Sequence, residues 1–103
     1  MRIDAKNLLG NLTAFQARVQ EKLQALRVTA SSGGNMVTVV CNGYGDIIEI
    51  RIDPEVLKEP DAEVLEDLVR AAVNEAHRRA REQAGEELQS LVGVPLAGLI
   101  GLT

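Results

Sequence analysis

Residues 36–57, MVTVVCNGYGDIIEIRIDPEVL, decide the fold. Met36 to Cys41 is a near-continuous β-branched run, the composition of a buried strand. Asn42-Gly43-Tyr44-Gly45 reads as a hairpin, because Asn-Gly tolerates the positive φ of a type I′ turn. Asp46 to Asp53 then alternates, with Ile48, Ile50 and Ile52 on one face and Ile47, Glu49 and Arg51 on the other. Asp53-Pro54-Glu55 stops the strand: an N-cap, then a proline at the first helical position, with Val56 and Leu57 completing one turn.

Upstream, Arg27 to Ser31 has strand character and Ser32-Gly33-Gly34-Asn35 breaks the chain. Three consecutive antiparallel strands make a meander with one buried face. Before them, Leu8, Leu12, Phe15, Val19, Leu23 and Leu26 recur in steps of three and four, which predicts an amphipathic helix from Ala5 to Leu26 with Asp4 as its cap. Downstream, Glu59-Pro60-Asp61 punctuates, and a helical stripe from Asp61 to about Leu91 carries Leu65, Leu68, Val69, Ala72, Val73, Ala76, Ala80, Ala84 and Leu88. The alanines allow another element to approach closely. The expected fold is α+β: an α-β-β-β-α protomer with a three-stranded antiparallel sheet. One domain, residues 1–91, is followed by an apolar tail, residues 92–103, holding glycines and a proline and fitting no regular pattern.

Helices of roughly 22 and 30 residues are about 33 and 45 Å long, more than a three-stranded sheet is wide at about 4.8 Å per strand. They should project, and projecting apolar stripes call for a second chain, most simply in a symmetric dimer.

Composition narrows the chemistry. In 103 residues there is one cysteine, so no internal disulfide or thiolate zinc cluster is expected, and one histidine, so no multi-histidine metal site. One Phe and one Tyr are too few for a binder that stacks bases on aromatic rings. No run of 18 apolar residues spans a membrane, and Met1 to Gly10 lacks a signal-peptide core, so the expected compartment is the cytoplasm.

The net charge of -4 is unevenly placed: residues 1–27 sum to +3, 46–67 to -7, 68–81 to +3 and 82–103 to -3. On the second helix Arg70, Asn74, His77, Arg78 and Arg81 fall on one side; on the first, Arg18 and Lys22 lie four apart. Such basic ridges suit phosphates. The competing reading is a solvated helix face tied by Glu75–Arg79 and Arg78–Glu82 pairs. Asp46, Glu49, Asp53, Glu55 and Asp61 lack the spacing of a calcium loop, and Asp53 is better explained as a cap. His77 has no paired nucleophile nearby in sequence, so neither catalysis nor a metal is expected. Cys41 reads as a buried small hydrophobe, Asn11-Leu12-Thr13 as a chance glycosylation pattern on a helix, and Gly43 and Gly45 as turn glycines.

The segments Val39-Val40-Cys41-Asn42-Gly43, Ile50-Arg51-Ile52-Asp53-Pro54-Glu55-Val56-Leu57 and residues 63–76, EVLEDLVRAAVNEA, together resemble the YbaB/EbfC family. The resemblance runs from about Leu8 to Leu91. It implies a tweezer-like homodimer whose helices form arms gripping duplex DNA, no enzymatic activity and no cofactor. It also implies a place on the nucleoid, roles in nucleoid organisation and gene regulation, and a link to recombination or repair proteins. By charge and helix face the candidate DNA contacts are Lys6, Arg18, Lys22, Arg70, Arg78, Arg79 and Arg81. The alternative is an acidic dimeric protein–protein adaptor with no direct DNA binding, which the net charge and the acidic residues 46–67 favour.

Overall fold

The computed structural model describes residues 5–92, so the Asp4 cap and the tail beyond Val92 lie outside the described residues. Helix α1 (Ala5–Ala25) leads into β1 (Val28–Ser32), β2 (Val37–Cys41) and β3 (Ile47–Ile52); a 3-10 turn (Pro54–Leu57) precedes α2 (Ala62–Val92). The sheet is an antiparallel meander in the order β1-β2-β3.

Caps fix the boundaries where the sequence places them. Asp53 accepts from the Glu55 amide at 2.9 Å ahead of Pro54. Asp61 Oδ1 accepts from the amides of Glu63 (3.1 Å) and Val64 (3.3 Å) and opens α2. Arg27 closes α1, its guanidinium donating to the carbonyls of Gln24 and Leu26.

The core joins Val28 and Ala30 of β1, Val37, Val39 and Cys41 of β2, and Ala72, Ala76 and Ala80 of α2. Alanines at every fourth position give α2 a flat face, and the helix settles close onto the two strands. Cys41 Sγ donates to the Ala76 carbonyl at 3.4 Å, and burial raises its thiol above the ordinary value. Ser32 Oγ adds a strand-to-helix tie, donating to the Leu68 carbonyl at 2.6 Å.

Burial of one face across all three strands is met only on β1 and β2. All six residues of β3 are exposed, Ile50 at 46 %. A helix about 10 Å across covers two strands spaced about 4.8 Å apart, and α2 lies over β1 and β2. The register also departs from simple alternation. Cys41 pairs with Ile47 and Val40 with Glu49, so Ile48 is an extra, bulged residue. Ile47, Ile50 and Ile52 therefore stand opposite Cys41, Val39 and Val37, extending the core-side face beyond the edge of α2.

The turns differ from expectation too. Asn42-Gly43 does not form a type I′ turn: among the described residues positive φ occurs at Gly33, Gly34, Asn35 and Gly45. The run of three left-handed residues sits between β1 and β2, where Gly33 and Gly34 carry no steric cost. Gly43 serves another purpose. Its amide donates to the Leu23 carbonyl at 2.8 Å, and a Cβ there would lie 2.9 Å from that same oxygen. The end of α1 is thus pressed onto the β2–β3 turn, burying Leu23.

The chain is long, 72 × 30 × 17 Å. The apolar stripe of α1 is covered only toward its C-terminal end; Leu8 (54 % exposed) and Leu12 (52 %) stand open to solvent.

Candidate nucleic-acid interface

The seven candidate cations do not form one ridge. Arg70 on α2 is paired with Asp67 at 2.8 Å. Arg78 is gripped by Glu75 and Glu82, and Arg79 by Glu75 at 3.0 Å. Arg79 leaves the face shared by Arg70 and Arg78 and reaches across β1 to donate to the Thr29 carbonyl at 2.9 Å. The two expected i,i+4 pairs, Glu75–Arg79 and Arg78–Glu82, are both present. A third, Glu75–Arg78 at i,i+3, joins them into a four-residue network.

Electrostatically, Glu75 is the centre of that network. Hydrogen bonds first from Arg78 and then from Arg79 lower its carboxyl to about 2. Its hydrogen bond from Arg78, and then its negative charge, in turn raise Arg78 above the ordinary guanidinium value. A guanidinium so engaged must give up a carboxylate before it can take a phosphate.

Other cations are differently disposed. Arg18 lies 5.9 Å from the Phe15 ring centroid, a cation–π distance, and shares a surface hollow with Glu21, Lys22, Ala25 and Leu91. This hollow is where the end of α2 meets α1. Lys6 is exposed on the N-terminal half of α1. Arg81 forms no ion pair among the described residues and lines a second hollow with Gly43, Tyr44, Gly45 and His77.

That second hollow escaped the sequence, because its walls are more than 30 residues apart. His77 Nε2 donates to the Gly45 carbonyl at 2.9 Å, so the lone histidine is a structural tie. Asn42 is buried, and its Oδ1 accepts from the amides of Tyr44 (2.9 Å) and Asp46 (3.0 Å). Asn-Gly in a hairpin was a signal for the turn, yet it pointed to the wrong geometry.

An apolar strip lies elsewhere. Leu65, Val69 and Val73 on the flank of α2 border an open hollow of about 570 Å³, with Glu66 and Arg70 at its rim. Among the described residues no three His, Cys, Asp or Glu side chains gather to hold a metal ion. No described helix is long and apolar enough to cross a membrane.

An α-β-β-β-α chain with uncovered apolar strips and cations along extended helices defines a class of small α+β proteins. The model of the YbaB/EbfC DNA-binding family matches residues 1–94, and the chain belongs to that family. It is similar to a nucleoid-associated protein of Acetivibrio thermocellus, 51 % identical over 82 % of this chain and 74 % of that one. A nucleoid-associated protein of Thermodesulfovibrio yellowstonii is 42 % identical, over 94 % of this chain and 97 % of its own. One of Agrobacterium fabrum is 36 % identical over 90 % and 91 %. The crystal structure of an uncharacterised protein from Helicobacter pylori shares the fold with a TM-score of 0.68, at 26 % identity, covering 88 % of this chain and 99 % of that chain.

Proposed function

We propose that this protein binds duplex DNA as a homodimer, mainly through backbone phosphates. On this reading it works on the nucleoid, within the cytoplasm, in nucleoid organisation and gene regulation. It meets proteins of recombination or repair on the same DNA. The family it belongs to is one of DNA-binding, nucleoid-associated proteins and not an enzyme family.

The observation that carries the reading is the disposition of charge along an elongated protomer. Arg18, Lys22 and Arg81 lie exposed on the two helices without a carboxylate partner among the described residues; Lys6 is a further exposed cation on α1. Arg70, Arg78 and Arg79 form a second rank, each entering a phosphate contact by exchanging a carboxylate. Such contacts position a protein on DNA without reading bases. Support for the dimer comes from two apolar surfaces that one chain leaves open, the row Ile47, Ile50 and Ile52 on β3 and the strip Leu65, Val69 and Val73 on α2. A second copy covers them through an isologous contact.

The test is fluorescence anisotropy of a labelled duplex against purified protein, titrated from about 50 to 200 mM salt. Affinity that falls steeply with salt supports the reading; no binding at the lowest salt refutes it. The adaptor reading draws on the nine acidic residues between 46 and 67, one of which, Glu66, rims the apolar hollow on α2. Partners that persist in a pull-down after nuclease treatment favour the adaptor.

A further inference from the structure

The β2–β3 turn and the middle of α2 enclose a surface hollow of about 320 Å³. Its shape is fixed by the protein itself. Asn42 closes the turn with three side-chain hydrogen bonds: its Oδ1 accepts from the Tyr44 and Asp46 amides and its Nδ2 donates to the Asp46 carboxylate. His77 clamps the far end of the turn to α2 through Gly45. Gly43 is held against the last turn of α1 by its bond to Leu23. Three elements therefore converge on one rigid seat, and a ligand entering it has little to order.

The chemistry of the seat is one-sided. Arg81 supplies a guanidinium with no carboxylate partner among the described residues. The turn's own carboxylate, Asp46, is occupied by Asn42 Nδ2 at 3.3 Å. Gly43 and Gly45 line the hollow without side chains, and Tyr44, half exposed, lines it between them. A fork-shaped cation beside a neutral ring with a hydroxyl suits a phosphodiester: two anionic oxygens for the guanidinium, and an adjoining sugar for the ring.

We infer that this hollow seats a backbone phosphate of duplex DNA, with Arg81 as its cation and Tyr44 against the neighbouring sugar. The inference rests on the DNA-binding reading above and deepens it. The interface then includes the β2–β3 turn of the sheet as well as the helix faces.

Tyr44 makes the test direct, because the chain has one Tyr and no Trp. Tyrosine emission and duplex anisotropy are followed in one titration, with free tyrosine as the control for absorption by DNA. Quenching of Tyr44 that tracks the anisotropy is expected. Arg81→Gln should lower the slope of log affinity against log salt by about 0.9 per protomer engaged, and Arg81→Lys should restore it. Arg51→Gln, at a β3 arginine already paired with Glu49, should keep the parent slope. Circular dichroism confirms that each variant is folded; should Arg81→Gln fail to fold, the parent's Tyr44 emission still decides. Parent protein that binds duplex with unchanged Tyr44 emission, or with an Arg81→Gln slope equal to its own, overturns the seat and leaves DNA binding standing. Quenching by a poly-glutamate peptide equal to that by duplex also overturns it. Parent protein that binds no duplex overturns the seat and the function together.

Discussion

His77 Nε2 donates a 2.9 Å hydrogen bond to the carbonyl of Gly45, 32 residues earlier in the chain. This contact ties the β2–β3 turn, which carries Tyr44, to the middle of α2, which carries Arg81. His77→Ala removes it and leaves a half-buried carbonyl without its donor. A loss of about 1 kcal/mol in unfolding free energy is expected, together with faster amide exchange at residues 43–46. Unchanged stability and unchanged exchange would show that the turn holds itself.

The alanine face of α2 predicts a second outcome. Ala76 has no exposed surface and lies over the core strands beside Cys41. Ala76→Leu adds three carbons where none fit, and should cost about 1–3 kcal/mol through overpacking. Chemical denaturation measures it. A Leu tolerated at no cost would mean that α2 rides higher on the sheet than described.

Much of this fold was legible in the residues. Asp53, Pro54 and Asp61 mark boundaries because caps act locally, on amides two or three residues away. The stripes of α1 and α2 and the β-branched run of β2 mark their elements for the same local reason. What stayed hidden depends on distant placement. Ile50 and Ile52 sit in an alternating strand, yet nothing local reveals that α2 stops short of them. Asn42-Gly43 promised a type I′ turn, but the Asn42 side chain captures two amides and moves the positive φ to Gly45. In the candidate interface the i,i+4 pairs were visible from spacing, while the bond from Arg79 to Thr29, 50 residues away, was not.

Glu75 couples stability to pH with a definite sign. Its folded carboxyl lies at about 2, below the ordinary unfolded value of about 4.3. A lowered carboxyl stabilises above the unfolded value, and that contribution fades as pH falls from about 4.3 to about 2. Thermal melts of Glu75→Gln should therefore depend less on pH across that window than those of the parent. The same variant takes one of its two carboxylates from Arg78 and the ion pair from Arg79, leaving the Arg78–Glu82 pair and the Arg79 bond to Thr29, and removes one negative charge. On the proposed function, it should bind duplex more tightly than the parent at equal salt. Weaker binding by a folded Glu75→Gln protein would argue against phosphate contact by that network.

The open face of β3 predicts the assembly. Ile50→Asp places a charge in the proposed dimer contact at an exposed position of β3, opposite core residue Val39, so circular dichroism first checks that the variant is folded. Sedimentation equilibrium should show a dimer for the parent and a monomer for the variant. A parent monomer at micromolar concentration, or a dimer indifferent to the substitution, would move the contact elsewhere.

Salt-dependent binding of a labelled duplex to the purified protein tests the central claim most directly. With Arg18, Lys22 and Arg81 on phosphates, log affinity should fall linearly with log salt, at a slope near 0.9 for each phosphate neutralised. A slope of about 3 per engaged protomer is the predicted result. No binding at about 50 mM salt, or an affinity indifferent to salt, would contradict the account.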